Sequence, residues 1–275
     1  MIRKLYLENK NGVTYYFNYQ SGTLISDIDG LGFEHELSYL RYQNMYERVE
    51  QTIPISEIKA TLTFLKGYSG YLKFLDYLKS VDNGLFLHYD AGEEKYAYID
   101  IKSVSKSELV FGVLQCQIVF NKLSPWLKEK VVSIEANGDS TGKVHPYKYP
   151  YSYSKSFEGK INITNIGVFK APLKFEIYGS VKNPEIYIYK DNQVVSTLRL
   201  FVDSLNVIIT VSSVPTNQFI EITENGIKRN IYDLQDFTCD NFIYLDPGEY
   251  IIEFKPGVST ITNCRVTILE GYLGN

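Results

Sequence analysis

The stretch NIGVFKAPLKFEIYG, Asn165 to Gly179, decides how the chain folds. It opens on a turn-like Asn-Ile-Gly, and from Leu173 it alternates. Leu173, Phe175 and Ile177 fall on one side, and Lys174, Glu176 and Tyr178 on the other. That is the period of a strand with one face buried and one face wet. The stretch holds no acid, base or nucleophile with an evident partner, so it points to architecture before chemistry.

Outward from it, short strands follow one another from Ile161 to the end: INIT, PEIYIYK, VVSTLRL, LNVIITV, FIEIT, IKRNIYD, FIYLD, YIIEF and ITNCRVTIL. Asn225-Gly226 and Pro247-Gly248 mark turns between them. This spacing predicts a C-terminal β-sandwich of jelly-roll or galectin-like type over 161–275. The segment 133–160 loses periodicity and gathers Gly, Pro, Ser and Tyr, which reads as a linker.

Residues 1–132 read as a separate module, a β-sandwich or barrel-like domain with one amphipathic helix. Short β-rich runs break at Asn11-Gly12 and Ser21-Gly22, both read as hairpin turns. The helix follows Lys66-Gly67, with Tyr68, Tyr71, Leu72, Leu75 and Leu78 as its apolar stripe and Lys73, Asp76 and Lys79 opposite. LFLHYD and KYAYIDI flank the turn AGEE as a hairpin. In LVFGVLQCQIVF, Leu114, Cys116, Ile118 and Phe120 alternate against Gln115, Gln117 and Val119. The segment HELSYLRYQNMYERVEQTIPI has alternating polarity without a core face. It is expected to form a projecting arm, with Tyr39, Tyr42 and Tyr46 as candidate contact residues at a subunit interface.

Composition narrows the function classes. The 275 residues are 44% hydrophobic and 22% charged, enough apolar matter for packed cores. A net charge of -4 gives no basic field, which argues against nucleic acid as a partner. No window approaches the length of apolar chain that a membrane helix needs, and no apolar run follows the first basic residues. These features predict a chain made and folded in a cytoplasm. The three cysteines, Cys116, Cys239 and Cys264, are widely spaced, and all three are expected as buried thiols. The chain carries 24 Tyr and 15 Phe against one Trp, and tyrosine suits both strands and interfaces.

Candidate chemistry is sparse. His35, His88 and His145 lie in separate segments. In Glu34-His35-Glu36, strand alternation puts the imidazole opposite both carboxylates, the wrong arrangement for joint chelation. Asp27-Ile28-Asp29-Gly30 starts like a calcium loop but lacks the later ligands, so a turn is expected there. Glu93-Glu94 sits at a hairpin tip, and no pair of carboxylates stands out for glycoside hydrolysis. Nucleophile-elbow, phosphate-loop and dinucleotide motifs are absent. No cofactor and no catalytic or metal residue is expected, and an enzyme is disfavoured.

In INITNIGVFKAPLKFEIYGSVKNPEIYIY, a strand, an Asn-x-Gly turn, a Pro-led alternating strand, a Gly and an Asn-Pro step follow in order. This resembles the start of the C-terminal domain of siphophage distal tail proteins. FIYLDPGEYIIEF is similar to that family's late hairpin. TIPISEIKATLTFLKGYSGYLKFLDYL and QCQIVFNKLSPWL resemble its strand-to-helix step and its closing Ser-Pro-aromatic step. The resemblance implies a structural protein of a long non-contractile tail tip, in the virion, assembled in the host cytoplasm. It implies a ring of copies, typically six, joining the tail-tube protein to the tail-associated lysin or baseplate. A C-terminal sandwich would face outward.

The competing reading from another class is a lectin-like module that presents Tyr147, Tyr149, Tyr151 or Tyr153 to a host glycan. A polysaccharide hydrolase is the third reading and has the least support.

Overall fold

The computed structural model describes residues 3–81, 84–136, 158–215, 217–240 and 242–274. They form two compact units, one of the described residues within 1–128 and 271–275 and one of those within 129–270. Among the described residues the fold is mainly β, with one α-helix. Most of the segment read as a linker lies outside the described residues.

The first unit is built from β1 (Lys4–Asn9), β2 (Thr14–Tyr16), β3 (Thr23–Asp29), β4 (Glu36–Tyr42), β5 (Met45–Thr52), β6 (Ser56–Phe64), α1 (Gly67–Lys79), β7 (Leu85–Asp90), β8 (Glu94–Lys106), β9 (Leu114–Lys122) and the start of β10 (Trp126–Ala136). Antiparallel pairing runs β2-β1-β7-β8-β9-β6-β3. The alternation read in 114–120 is the buried pattern of β9, with Leu114, Cys116, Ile118 and Phe120 inside. Leu62 of β6 lies opposite Cys116, and Ala60 opposite Ile118, so the two strands share one core face.

Three expectations are corrected in this unit. The Ser21-Gly22 turn does not close a hairpin: β3 pairs with β6, from Thr23 opposite Phe64 to Ser26 opposite Thr61. Asp27-Ile28-Asp29 is the irregular end of β3, with Asp27 at φ 50°. The helix is present, but its buried side is Gly67, Gly70, Phe74 and Tyr77, while Tyr68 and Leu72 are exposed. The rings that α1 meets set this face: Phe74 packs on Phe64 and Tyr15, and Tyr77 on Tyr15. Fully burying a side chain such as Phe74 is worth about 1.5–3 kcal/mol, which helps to hold the helix in this rotation.

The second unit contains β11 (Gly159–Asn165), β12 (Ala171–Lys182), β13 (Glu185–Lys190), β14 (Gln193–Arg199), β15 (Asp203–Val214), β16 (Asn217–Glu224), β17 (Ile227–Asn230), β18 (Tyr244–Leu245), β19 (Gly248–Lys255) and β20 (Thr262–Tyr272). One sheet runs β11-β19-β13-β14. The other includes β17-β16-β15-β12-β20, with β18 on the end of β12. Their inner faces meet in one core, Ile163, Ile188, Ile252 and Phe254 from the first and Phe175, Ile209, Ile222 and Val266 from the second. This is a β-sandwich. Leu173, Phe175 and Ile177 are buried as their alternation requires.

The Asn-Ile-Gly that opens the decisive stretch is a buried side-chain turn. Asn165 accepts from the Gly167 N–H at 2.9 Å and donates to the carbonyls of Phe169 and Leu245, each at 2.9 Å. Asn225 and Gly226, both at positive φ, form the two-residue connection between β16 and β17. Cys116 and Cys264 are buried, but Cys239 is only partly so, because it sits in the irregular segment after β17 and not on a core-facing strand.

Candidate functional site

Among the described residues β4 and β5 pair only with each other, as a two-stranded sheet over residues 36–52 in which every residue is exposed. An isolated hairpin of two strands is marginally stable in water. This one nonetheless displays Leu37, Tyr39, Leu40, Tyr42, Met45, Tyr46 and Val49 to solvent. Exposed apolar side chains gathered on one element mark a contact surface.

The register assigns each side chain to a face. Leu37 lies opposite Gln51, Tyr39 opposite Arg48, and Arg41 opposite Tyr46. On the other face Glu36 lies opposite Thr52, Ser38 opposite Glu50, Leu40 opposite Glu47, and Tyr42 opposite Met45. Of the three tyrosines singled out in the sequence, Tyr39 and Tyr46 therefore share one face and Tyr42 belongs to the other. The ladder slips between Ser38 and Tyr39, leaving Val49 as the extra residue of a β-bulge. At the tip, Gln43 takes φ 52° and its carbonyl accepts from Arg41 Nε at 2.8 Å, while the guanidinium stands 6.0 Å from the Tyr46 ring centre.

The root of this arm is fixed to the core of its own unit. Trp126, fully buried, donates from Nε1 to the Leu31 carbonyl at 2.7 Å. Lys122 Nζ donates to the Gly32 carbonyl at 2.6 Å, and burial lowers its pKa. At the returning end, Glu57 pairs with Lys102 and Lys59, which hold its carboxyl below the usual range. These bonds tie the root to the core, whereas among the described residues the two strands of the arm pair with no other strand.

The other candidate residues do not assemble into a reactive site. His35 is within 3.0 Å of the Gln51 amide beside the arm. His88 lies between Glu8 at 3.2 Å and Glu94 at 3.1 Å and stacks on Tyr6, whose hydroxyl reaches Glu94. Burial, then that carboxylate, raises the Tyr6 pKa. Glu93 pairs with Lys128 at 3.1 Å. Among the described residues no group of three or more His, Cys, Asp or Glu side chains could hold a metal ion, and no helix is long and apolar enough to cross a membrane. His145, Tyr147, Tyr149, Tyr151 and Tyr153 lie outside the described residues.

Sequence reading found the arm through its aromatic residues but missed Leu37, Leu40, Met45 and Val49. The signal for them was the same lack of a core-facing side.

Residues 4–123 match the family model of the distal tail protein N-terminal domain. No curated protein matches the sequence. Among solved structures, a chain of the phage P2 baseplate in its activated conformation with calcium gives a TM-score of 0.74 at 13% identity, over 100% of each chain. The same baseplate with strontium gives 0.73 at 12%. The SPP1 Dit protein, described as a paradigm of the hub adsorption apparatus in phages infecting Gram-positive bacteria, gives 0.63 at 12% identity. That match covers 99% of this chain and 100% of that one.

Proposed function

We propose, from the match of residues 4–123 to the distal tail protein N-terminal domain, that this chain builds the hub of a phage tail tip. The role is structural. Copies close into a ring, typically of six, through the N-terminal unit. The ring joins the tail-tube protein on one side to the tail-associated lysin or baseplate on the other. The protein is carried in the virion at the tail tip, after assembly in the host cytoplasm.

The observation that carries this reading is the arm of β4 and β5. A hairpin exposed on both faces and rich in large apolar residues requires cover. A ring supplies that cover at every position, because each subunit of a head-to-tail assembly offers one patch and receives a different one. The fold likeness to baseplate and hub proteins supports the same assignment.

Light scattering of the full chain across a concentration series tests it. A discrete mass at a fixed multiple of 31.6 kDa, near six, is expected. A single-chain mass at every concentration would overturn ring closure by the protein alone.

A further inference from the structure

The arm carries five charged residues, and they are sorted by sign between its two faces. Arg41 and Arg48 share a face with Leu37, Tyr39 and Tyr46. Glu36, Glu47 and Glu50 share the opposite face with Leu40, Tyr42 and Met45. No lysine or aspartate occurs in either strand, and no charge lies on the face of the other sign. Among the described residues, none of these five makes an ion pair.

The sorting depends on the bulge. Glu47 and Glu50 are three positions apart, which in a regular strand places them on opposite faces. The extra residue, Val49, restores them to one face and leaves Arg48 on the other. Each face is thus an apolar patch of three large side chains bordered by charge of a single sign.

We propose that the arm is both halves of one contact, the arginine face of one copy packing on the glutamate face of the arm of a second copy. The inference rests on the ring reading and names the surfaces that would close it. Charge complementarity selects this arrangement. A twofold contact sets a face against itself, arginine to arginine or glutamate to glutamate, and like charges brought together are rejected. The head-to-tail contact places two guanidiniums against three carboxylates, and the planar donor fork of Arg matches a carboxylate by paired hydrogen bonds. It also stacks Leu37, Tyr39 and Tyr46 of one copy on Leu40, Tyr42 and Met45 of the next, removing both patches from water.

The test uses full-length chains with reversed faces. Arg41→Glu with Arg48→Glu makes both faces acidic. Glu36→Lys, Glu47→Lys and Glu50→Lys together make both basic. All five positions are exposed, so each chain should keep the native circular dichroism spectrum and melting transition. By light scattering, each variant alone should need a concentration more than about tenfold higher than the native chain to assemble. Mixed in equal amounts, acidic arms alternate with basic ones, and the native mass should return. Assembly of either variant alone at native concentrations would overturn the arm contact and leave the ring reading standing. Loss of assembly without recovery on mixing would also overturn it, by placing the arm against a different surface of the neighbouring copy. A native chain that stays monomeric at every concentration and salt would overturn both.

Discussion

Gly30 and Glu57 meet backbone to backbone where the chain leaves the sheet for the arm and where it returns. A Cβ on Gly30 would stand 2.0 Å from the Glu57 carbonyl oxygen, and Gly30 sits at φ 90°. Gly30→Ala therefore combines a backbone clash with a left-handed conformation that alone costs about 1–2 kcal/mol. Gly12 at φ 76° has open space around it, so Gly12→Ala incurs the backbone cost without the clash. Denaturant melts of the two variants should show the larger loss for Gly30→Ala. Equal losses would mean that the Glu57 backbone yields freely.

Trp126→Phe isolates the hydrogen bond at the arm root. The indole is fully buried and its N–H is matched by the Leu31 carbonyl, so phenylalanine leaves that acceptor without its partner. The expected loss is about 1–3 kcal/mol for the unmatched carbonyl, with a further contribution from lost volume. Amide exchange should quicken in the segment around Leu31 more than in β9. Uniform quickening would instead mark Trp126 as a core residue without a specific hold on the root.

Stability should fall above about pH 9, because the buried thiols and phenols resist ionisation. Burial raises the pKa of Cys264 from its ordinary 9.0, with the charge of Glu176 adding to it. Burial, then Glu8, raises that of Tyr77 from 10.0. A group with a raised folded pKa contributes stability that is complete below its unfolded value and lost as pH climbs toward the folded one. Between those values the unfolded chain has released a proton that the folded chain retains. Each such group then removes about 1.4 kcal/mol per pH unit. Tyr77→Phe should flatten the decline above pH 10, and a slope equal to that of the native chain would show that Tyr77 ionises freely.

The acid limb has its own residue. Glu253 is 3% exposed, with Lys160 at 3.1 Å and Lys255 at 3.6 Å, and the Tyr189 hydroxyl donates to it. Burial pushes its carboxyl up, but that hydroxyl and the two lysines outweigh burial, so the net pKa is lowered. The same bond pushes Tyr189 up to about 12. A depressed carboxylate contributes stability present above its unfolded value of 4.5 and lost as pH falls through the folded one. Glu253→Gln should cost about 1–3 kcal/mol at pH 7 and progressively less toward pH 3. A constant difference across that range would rule out the charged form as the source.

Which parts of the molecule could be read from sequence follows from how local each signal is. The alternation at Leu173, Phe175 and Ile177 was legible because the strand period and the buried face coincide within six residues. Asn165 was legible as a turn, but not as a buried cap, since its acceptor Leu245 is distant in sequence. In α1, Tyr68 and Leu72 fit a helical stripe as well as Phe74 and Tyr77 do, and only the position of Tyr15 and Phe64 chooses between them. The arm was visible through its lack of a core face. Its charge sorting was not, because strict alternation separates Glu47 from Glu50 and a bulge leaves no mark in composition.

The tyrosines of the arm separate stability from assembly. Tyr39, Tyr42 and Tyr46 are 54%, 57% and 67% exposed, so Tyr→Ser at these positions should change unfolding free energy by no more than about 0.5 kcal/mol each. Buried aromatic anchors at interfaces commonly contribute more than about 1–2 kcal/mol each, so the same changes should weaken assembly by tenfold or more. Tyr19→Ser, at an 81% exposed tyrosine outside the arm, should leave the assembled mass unchanged. The two faces can also be compared. In a head-to-tail contact every junction uses one face of each kind, so Tyr42→Ser alone and Tyr39→Ser with Tyr46→Ser should both weaken every junction. In a twofold contact only one face is used, and one of these variants would assemble as the native chain does. Light scattering of the two full-length variants side by side therefore reads the symmetry of the contact directly.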